Sequence, residues 1–346
     1  MTGAVLAIRP RALGDVVLVT PALRALRRGF PGASLEVVTE GRYASLLEGL
    51  EFVDRVRTVD RRWRATAALI LALRRRGIER VVDFFGNPRT AAIAAFCGAR
   101  VSAGYALRGR GATYRIRVPR ALTLADGRRE HASATHVRLA EAAGGIADGL
   151  EARVAVSAAA REAAARLLTG ARVAEPGRTI GLVAAGTWPS KTWPLSHAAV
   201  LARRLLAAGH AVLAILGPGE ERTGRDLVAL APGVTALPPC DVGVLAAVIE
   251  RLAAVVGTDS GPRHLAAALG VPTFAWFGPT HPDTWNPPGD LHGFLRTELP
   301  CRGCDRTRCP HWNCMPGLAP EDVSLRVLDH LARHGRTSAL GTAARA

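Results

Sequence analysis

The chain has 346 residues, of which 49% are hydrophobic and 21% are charged, and its 45 basic residues against 29 acidic ones give a formal net charge of +16. This composition excludes a disordered chain, and the length allows two domains with separate hydrophobic cores. Aromatic residues make up only 5% and do not alternate with basic runs, which argues against nucleic acid and favours other anionic partners, such as phosphorylated sugars or acidic lipids.

The longest apolar runs, such as residues 67–73, are far too short to cross a membrane. Met1 is followed within a few residues by a run typical of a first strand, so we expect no signal peptide. The sequence therefore predicts a cytoplasmic protein, with peripheral contact to the inner face of a membrane left open as an alternative.

In the first half of the chain, short apolar runs alternate with helical patterns. The predicted strands are 5–8, 35–39, 56–59, 81–84 and 101–105, and the predicted helices include 16–28, 65–76 and 157–168. Such alternation is typical of βαβ units and a parallel sheet. Residues 170–178, which contain Glu175, Pro176 and Gly177, have the composition of a linker.

After this linker the alternation starts again. The second set of predicted strands is 180–184, 211–216, 253–256 and 273–277, with helices at 196–208, 220–230, 242–251 and 262–269. We therefore predict an α/β protein with two Rossmann-like domains, 1–170 and 178–335, facing a central cleft at the carboxyl ends of their strands. The remaining residues, 336–346, are predicted to be a disordered tail.

The first polar segment follows the first strand and contains Arg9, Arg11, Gly14 and Asp15. Asp15 stands at the start of the next helix, where a carboxylate either caps backbone N–H groups or acts as an exposed general base. Arg9 and Arg11 flank it and are either solvated surface residues or ligands for an anionic acceptor.

The second segment holds Lys191, the one lysine among the 45 basic residues. It lies in the loop after a predicted strand, near Thr187 and between Trp188 and Trp193. A compact ammonium in such a loop is a usual phosphate ligand, and arginine does not replace it equivalently. The alternative is that a single lysine escaped a strong coding preference for arginine.

The third segment joins a buried strand to a helix through Thr258, Asp259, Ser260, Gly261 and Pro262. This run is richer in small and polar groups than a helix cap requires. It predicts that backbone N–H groups from Ser260 to His264 bind a diphosphate, with an ordinary capped helix start as the alternative.

Two acidic residues, Glu220 and Glu221, follow another predicted strand. A carboxylate at this position of a nucleotide-binding domain takes ribose hydroxyls, although helix N-termini favour glutamate in any case.

An insertion at 301–314 contains Cys301, Cys304, Cys309 and Cys314, with His311 as a spare ligand. The four thiols either close a structural zinc site or are reduced cysteines that pack a small lobe.

Taken in chain order, these segments resemble glycosyltransferase family nine, the ADP-heptose:lipopolysaccharide heptosyltransferases. The residues that carry the resemblance are Arg9, Gly14, Asp15 and Pro21, then Lys191, Trp193 and Pro194, then Asp259, Ser260, Gly261, Pro262, His264, Leu265 and Ala266, and finally Phe277, Gly278, Pro279 and Thr280. The cysteine run resembles one found in many members. Arg263 departs from the apolar residue often found there, and either adds a diphosphate contact or lies outside the site.

The resemblance implies a GT-B fold in which the first domain binds the acceptor and the second binds the nucleotide sugar. It implies inverting transfer of a sugar, by family default heptose from ADP, to a lipopolysaccharide-core or other lipid-linked envelope glycan, with no cofactor required for catalysis. Asp15 is then the base and Lys191 the ligand of the departing diphosphate. The predicted donor contacts are Thr187, Lys191, Glu220, Glu221, Thr258, Asp259, Ser260, Gly261, Pro262 and His264.

Two other functions remain open. A sugar-nucleotide epimerase or isomerase on the same fold would form product from the donor alone, and a non-catalytic binder would hold the nucleotide without turnover. The basic stretches 61–64 and 108–120 are either solvated surface or a face for anionic headgroups.

Overall fold

The computed structural model describes residues 3–60 and 62–336, which divide into two compact units between Ser157 and Ala158. The first unit contains β1 (Ala4–Ile8), α1 (Leu13–Leu18), α2 (Thr20–Gly29), β2 (Leu35–Thr39), β3 (Arg55–Thr58), α3 (Trp63–Arg76), β4 (Ile78–Asp83), α4 (Pro88–Phe96), β5 (Val101–Tyr105), β6 (Ile116–Val118) and α5 (Ala132–Ala142).

The second unit contains α6 (Ala158–Gly170), β7 (Thr179–Val183), α7 (Leu195–Ala207), β8 (Ala211–Ala214), α8 (Glu221–Leu230), β9 (Val234–Ala236), α9 (Val242–Glu250), β10 (Ala254–Thr258), α10 (Gly261–Ala268), β11 (Thr273–Phe277), α11 (Pro282–Trp285), β12 (His292–Arg296) and α12 (Pro320–His334). None of the helices in the described part of the chain combines the length and apolar character needed to span a bilayer.

Each unit is built on a six-stranded parallel sheet, and the two sheets have the same topology. The strand order is β3-β2-β1-β4-β5-β6 in the first and β12-β11-β10-β7-β8-β9 in the second. In both, the chain reverses direction across the sheet between the two central strands, β1 and β4 or β7 and β10. Ligands of open parallel sheets bind at this switch point, beyond the carboxyl ends of the strands.

The central strands form because they are almost wholly apolar and are covered by helices on both faces. Leu6 and Ile8 of β1 are fully buried in the first core, and Ile180 and Leu182 of β7 in the second. Strands buried in this way end abruptly at the first polar residues, which therefore project at the carboxyl edge of the sheet. The α/β fold predicted from the sequence is confirmed.

The predicted helix 16–28 is two helices, and Pro21 explains the break. Proline has no N–H with which to continue the ladder of α1, and it lies in the first turn of α2, where none is needed. The Thr20 hydroxyl instead donates to the Val17 carbonyl at 2.8 Å.

The alanine-rich helix α6 belongs to the second unit, although the predicted first domain extends to residue 170. It packs against α9, where Arg161 makes two 2.8 Å hydrogen bonds to Glu250. An alanine-rich helix carries no sequence signal for the sheet that it will cover, so its placement depends on tertiary contacts.

Several elements were not among the predicted ones: β6, α4, α5, β9, α11, β12 and α12. The three strands are short or lie at sheet edges. Pro88 after the capping residue Asn87 is a signal that marks the start of α4. The predicted tail lies outside the described residues from 337 onward; Arg336 is described, and its guanidinium bonds the Gly270 carbonyl at 2.7 Å.

Candidate active site

The loops after β7 and β10 bring Lys191 and Asp259 together at the switch point of the second unit. Lys191 Nζ lies 2.7 Å from Asp259 Oδ2, and the Thr280 hydroxyl donates to the same oxygen at 2.9 Å. His264 Nε2 lies 3.5 Å from the other oxygen, Oδ1. Thr280 enters from the loop after β11, so three neighbouring strands supply this cluster.

The Asp259 carboxylate is held ionised. Burial alone would raise its pKa, but the charge of Lys191 and the neighbouring His264 outweigh burial and lower the pKa below its ordinary value. The side chain is 3% exposed against 16% for Lys191. Asp259 therefore fixes the lysine, and only the lysine has access to a ligand. That Asp259 itself contacts the donor stays a prediction.

Two tryptophan rings flank the Lys191 ammonium. Its Nζ lies 4.5 Å from the centre of the Trp188 ring and 5.9 Å from that of Trp285. Trp193 points away into the core, where its indole N–H donates to the Leu318 carbonyl at 3.1 Å. The nearby Thr187 is exposed in the same loop.

The start of α10 adjoins this cluster and has the features of an anion site. Ser260 caps the helix without a side-chain bond to it, and its hydroxyl and His264 Nδ1 are buried with no hydrogen-bond partner in the described structure. The first backbone N–H groups of a helix also lack partners within it. Polar groups left unpaired in this way indicate a place for a bound anion.

The amides of this helix start are fewer than the sequence predicts. Pro262 has none, and the His264 N–H donates to the Ser260 carbonyl at 3.3 Å, which leaves those of Ser260, Gly261 and Arg263. Thr258, also predicted to contact the donor, is fully buried, and its hydroxyl donates to the Ala185 carbonyl at 3.3 Å. It joins the loops after β7 and β10.

Arg263 is buried, with 1% of its surface exposed. Its guanidinium bonds the Asn286 side chain and the Trp285 carbonyl, and lies 5.4 Å from the centre of the Phe277 ring. Burial lowers its pKa to about 10, so it is still a cation at neutral pH. The Arg263 guanidinium therefore fixes the end of α11, where Trp285 lies, and is itself buried.

The two glutamates after β8 differ in what they contact. Glu220 accepts a 2.7 Å hydrogen bond from the Gly217 N–H and so closes its own turn. Glu221 accepts from the Gly219 N–H at 3.2 Å, but it is exposed and lines a cavity of about 300 Å³. The other walls of this cavity are mostly apolar: Leu216, Pro218, Leu237, Pro238, Pro239 and Leu245.

In the first unit, Arg9 and Asp15 form an ion pair at the carboxyl end of β1. Arg9 is 1% exposed, with Nη2 2.6 Å from Asp15 Oδ1 and Nη1 donating to the Phe84 carbonyl. Asp15 is the third residue of α1, not its cap, and its Oδ2 accepts from the Ala12 N–H at 3.4 Å. The Asp15 side chain remains 29% exposed. That Arg9 binds the acceptor stays a prediction, and its buried guanidinium is engaged with Asp15 and the Phe84 carbonyl.

Arg11, by contrast, is exposed and lines a cavity of about 340 Å³ at the same edge of the sheet. Trp63, Asn87 and Arg89 also line this cavity. Glu40 is a further lining residue, and its Oε1 lies 3.9 Å from Arg11 Nε. Guanidinium groups beside an aromatic ring can bind an anionic sugar.

The cysteine insertion supports the loops of the second unit. Ser190 Oγ donates to the Arg306 carbonyl at 2.6 Å, and the Asp305 N–H donates to the Pro279 carbonyl at 2.7 Å. The segment therefore bridges the loop of Lys191 and the loop of Thr280. Sequence reasoning missed Ser190; its position next to the lysine was the available signal.

The four cysteines themselves are free thiols, two exposed (Cys301 and Cys304), one half-buried (Cys309) and one buried (Cys314). In the described residues no three histidine, cysteine or acidic side chains are arranged to hold a metal ion. This arrangement gives the zinc site no support, and zinc stays a prediction.

Two Rossmann-like units, each on a six-stranded parallel sheet with the same strand order, form the architecture of GT-B type glycosyltransferases. The model of glycosyltransferase family 9 (heptosyltransferase) matches residues 66–314. Lipopolysaccharide heptosyltransferase 1 of Pseudomonas aeruginosa is 30% identical over 331 residues, which cover 89% of this chain and 87% of that protein. The chain belongs to glycosyltransferase family 9, as the sequence motifs predict.

Solved structures agree on the fold. A family 9 glycosyltransferase from Veillonella parvula matches with a TM-score of 0.82 at 20% identity, over 96% of this chain and 97% of that one. The heptosyltransferase WaaC of E. coli, solved with ADP, matches with a TM-score of 0.72 at 23% identity, over 94% of this chain and 99% of that one.

Proposed function

We propose that this glycosyltransferase transfers heptose from ADP-heptose to an anionic sugar of the lipopolysaccharide core. One observation carries the proposal: Lys191 is paired with Asp259, which Thr280 in turn holds, beside the start of α10, in a chain that is similar over most of its length to a lipopolysaccharide heptosyltransferase.

The second unit supplies the groups that an ADP-sugar needs. Lys191 and the N–H groups at the start of α10 neutralise the diphosphate as it leaves. The apolar cavity beside α8 takes the flat base, and Glu221 at its edge accepts from the ribose hydroxyls. Support for ADP comes from WaaC, which was solved with that nucleotide.

The first unit supplies the base and the acceptor site. Asp15 accepts the proton of the acceptor hydroxyl while Arg9 holds its other oxygen, and Arg11 and Arg89 pair with carboxylate or phosphate groups on the acceptor.

The reaction follows from these roles as a single displacement. The acceptor oxygen bonds to the anomeric carbon, the bond from that carbon to the β-phosphate oxygen breaks, the proton passes to Asp15, and ADP departs with the electron pair. Attack opposite the leaving group inverts the anomeric configuration. Because protein cations and amides neutralise the diphosphate, the step as proposed needs no divalent metal.

The test is transfer from ADP-heptose to a deacylated core acceptor, with NMR of the product's anomeric linkage and a parallel reaction in excess EDTA. We expect an inverted product and an undiminished rate in EDTA. Retention of configuration would contradict the displacement, and loss of activity in EDTA would contradict metal independence.

Donor choice and the competing functions are tested separately. Thermal shifts with ADP-, UDP- and GDP-sugars should be largest for ADP-heptose, because ligand binding to the folded state raises Tm. A new sugar nucleotide formed from the donor alone would indicate an epimerase. Donor binding without turnover on any core acceptor would indicate a non-catalytic binder.

A further inference from the structure

The solvent-facing side of α3 is apolar where a helix of a water-soluble domain is normally polar. Trp63 is 59% and Leu71 57% exposed, and Ala67 and Ala68 between them are also exposed. The opposite side, with Thr66 and Leu73, is buried. At 100° per residue, the exposed residues share one face of the helix.

The neighbouring helix α4 extends this surface. It packs beside α3, and its last residue, Phe96, is 60% exposed while Ile93 and Ala94 are buried in the core. We call the exposed apolar residues of the two helices, Trp63, Ala67, Ala68, Leu71 and Phe96, the α3–α4 surface.

The charged residues within α3 and α4 have one sign, and the acidic residue just before α3, Asp60, pairs with Arg62. Neither helix contains an acidic residue, whereas Arg64 lies at one end of the exposed face of α3 and Arg74 and Arg75 at the other. These three arginines have no carboxylate partner within residues 3–60 and 62–336. A nearby arginine, Arg76, is different, because it bonds Glu36 at 2.7 Å.

An apolar strip with tryptophan at one end and unpaired arginines at both ends matches the composition of helices that lie in a membrane interface. Charge complementarity favours an anionic lipid surface as the occupant, since each arginine can then meet a headgroup phosphate.

The position of the surface fits a lipid-linked acceptor. Trp63 lies at the rim of the 340 Å³ cavity that contains Arg11 and Arg89, and Arg89 lies 5.4 Å from the centre of the Trp63 ring. A bilayer that contacts Trp63 would present the sugars of its lipids beside this cavity.

We propose that the α3–α4 surface docks this enzyme on an anionic lipid bilayer. The relevance of docking to turnover rests on the proposed function, but docking itself does not need a substrate. Of the earlier candidates for headgroup contact, the stretch 61–64 contributes Arg64, whereas Arg62 pairs with Asp60 and Arg61 lies outside the described residues. The stretch 108–120 is not part of the α3–α4 surface.

The experiment is sedimentation of the full chain with vesicles of phosphatidylcholine alone or of equal parts phosphatidylcholine and phosphatidylglycerol. Wild type should bind only the anionic vesicles, and less at high salt. Leu71→Glu/Phe96→Glu and Arg74→Glu/Arg75→Glu should each weaken binding by about tenfold or more.

Matched controls lie in the second unit. Leu325→Glu changes a leucine that is 62% exposed on α12, and Arg166→Glu/Arg333→Glu makes the same change of charge as the paired arginine variant. Both should bind vesicles like wild type. Equal loss in variants and controls, equal binding to neutral vesicles, or no binding by wild type would overturn the proposal.

Turnover of a deacylated, water-soluble acceptor separates this proposal from the proposed function. Both surface variants should keep wild-type turnover there, because no lipid is needed. Turnover without vesicle binding would refute docking alone, and vesicle binding without turnover would refute the transferase function alone.

Discussion

Burial divides the cations of the candidate site into those that meet a ligand and those that position another side chain. Arg9 and Arg263 are each 1% exposed and bond protein groups, Asp15 in one case and the Trp285 loop in the other. Lys191 and Arg11 keep exposed surface. The two buried arginines and the two exposed cations carry the same charge but differ in their access to a ligand. Substitutions in the two groups should therefore affect different kinetic constants.

Lys191→Arg tests whether the shape of the cation matters. The ammonium sits between Trp188 and Asp259, and a guanidinium is too broad to keep the 2.7 Å contact without moving the ring. We expect kcat to fall about 100-fold while the charge is retained. Arg166→Lys on the exposed face of α6 is the control and should have wild-type kcat. A wild-type rate in Lys191→Arg would mean that the lone lysine is an accident of composition.

Arg9 and Arg11 provide a second, paired prediction. Arg9→Lys should lower kcat by about tenfold, because Asp15 loses its fixed orientation, with the acceptor KM unchanged. Arg11→Ala should instead raise the acceptor KM with little effect on kcat. If Arg9→Lys raised the acceptor KM in the same way, Arg9 would be an acceptor ligand after all.

At the scale of elements, the candidate donor site is an arrangement of loops after three neighbouring strands, β7, β10 and β11. Residues 305–307 of the cysteine insertion join two of these loops through Ser190 and Pro279. The insertion therefore supports the position of Lys191, whatever its thiols bind.

Ser190→Ala tests this support. Loss of the 2.6 Å bond to the Arg306 carbonyl should cost about 1 kcal/mol of unfolding free energy and lower kcat severalfold, since the lysine loop is released on one side. Ser324→Ala is the matched control: Ser324 is also buried and bonds a carbonyl, that of Pro320 within α12. It should lose similar stability at wild-type kcat, and an equal fall in kcat for both would indicate a general loss of folded enzyme.

At the scale of the whole molecule, stability should decrease on acidification because buried neutral histidines take up protons only when the chain unfolds. Burial lowers the pKa of His292 to about 4, against an ordinary value near 6.5. The unfolded chain therefore binds a proton between these pH values that the folded chain does not, and stability present above pH 6.5 is lost as the pH falls to 4. Asp259 adds a further loss at lower pH, because its folded pKa is depressed.

Urea unfolding across this pH range measures the effect. We expect the unfolding free energy to fall by up to about 3 kcal/mol between the two pKa values of His292. In His292→Gln the slope of unfolding free energy against pH should be smaller. Some slope should remain, since burial also lowers the pKa of His136, His210 and His330. An unchanged slope in His292→Gln would show that His292 is not buried in its neutral form.

The sequence by itself determined the two parallel sheets, the family and the loops that carry Asp15, Lys191 and residues 258–264. These depend on local signals: apolar strands that end in small polar residues, and prolines at helix starts. Only the tertiary structure decided which side chains pair across those loops. Asp259 and Lys191 are 68 positions apart, and Arg9 reaches the Phe84 carbonyl 75 positions away. Burial of Arg9, Thr258 and Asp259, and the packing of α6 on the second unit, arise where distant segments meet, and no local pattern of residues encodes that.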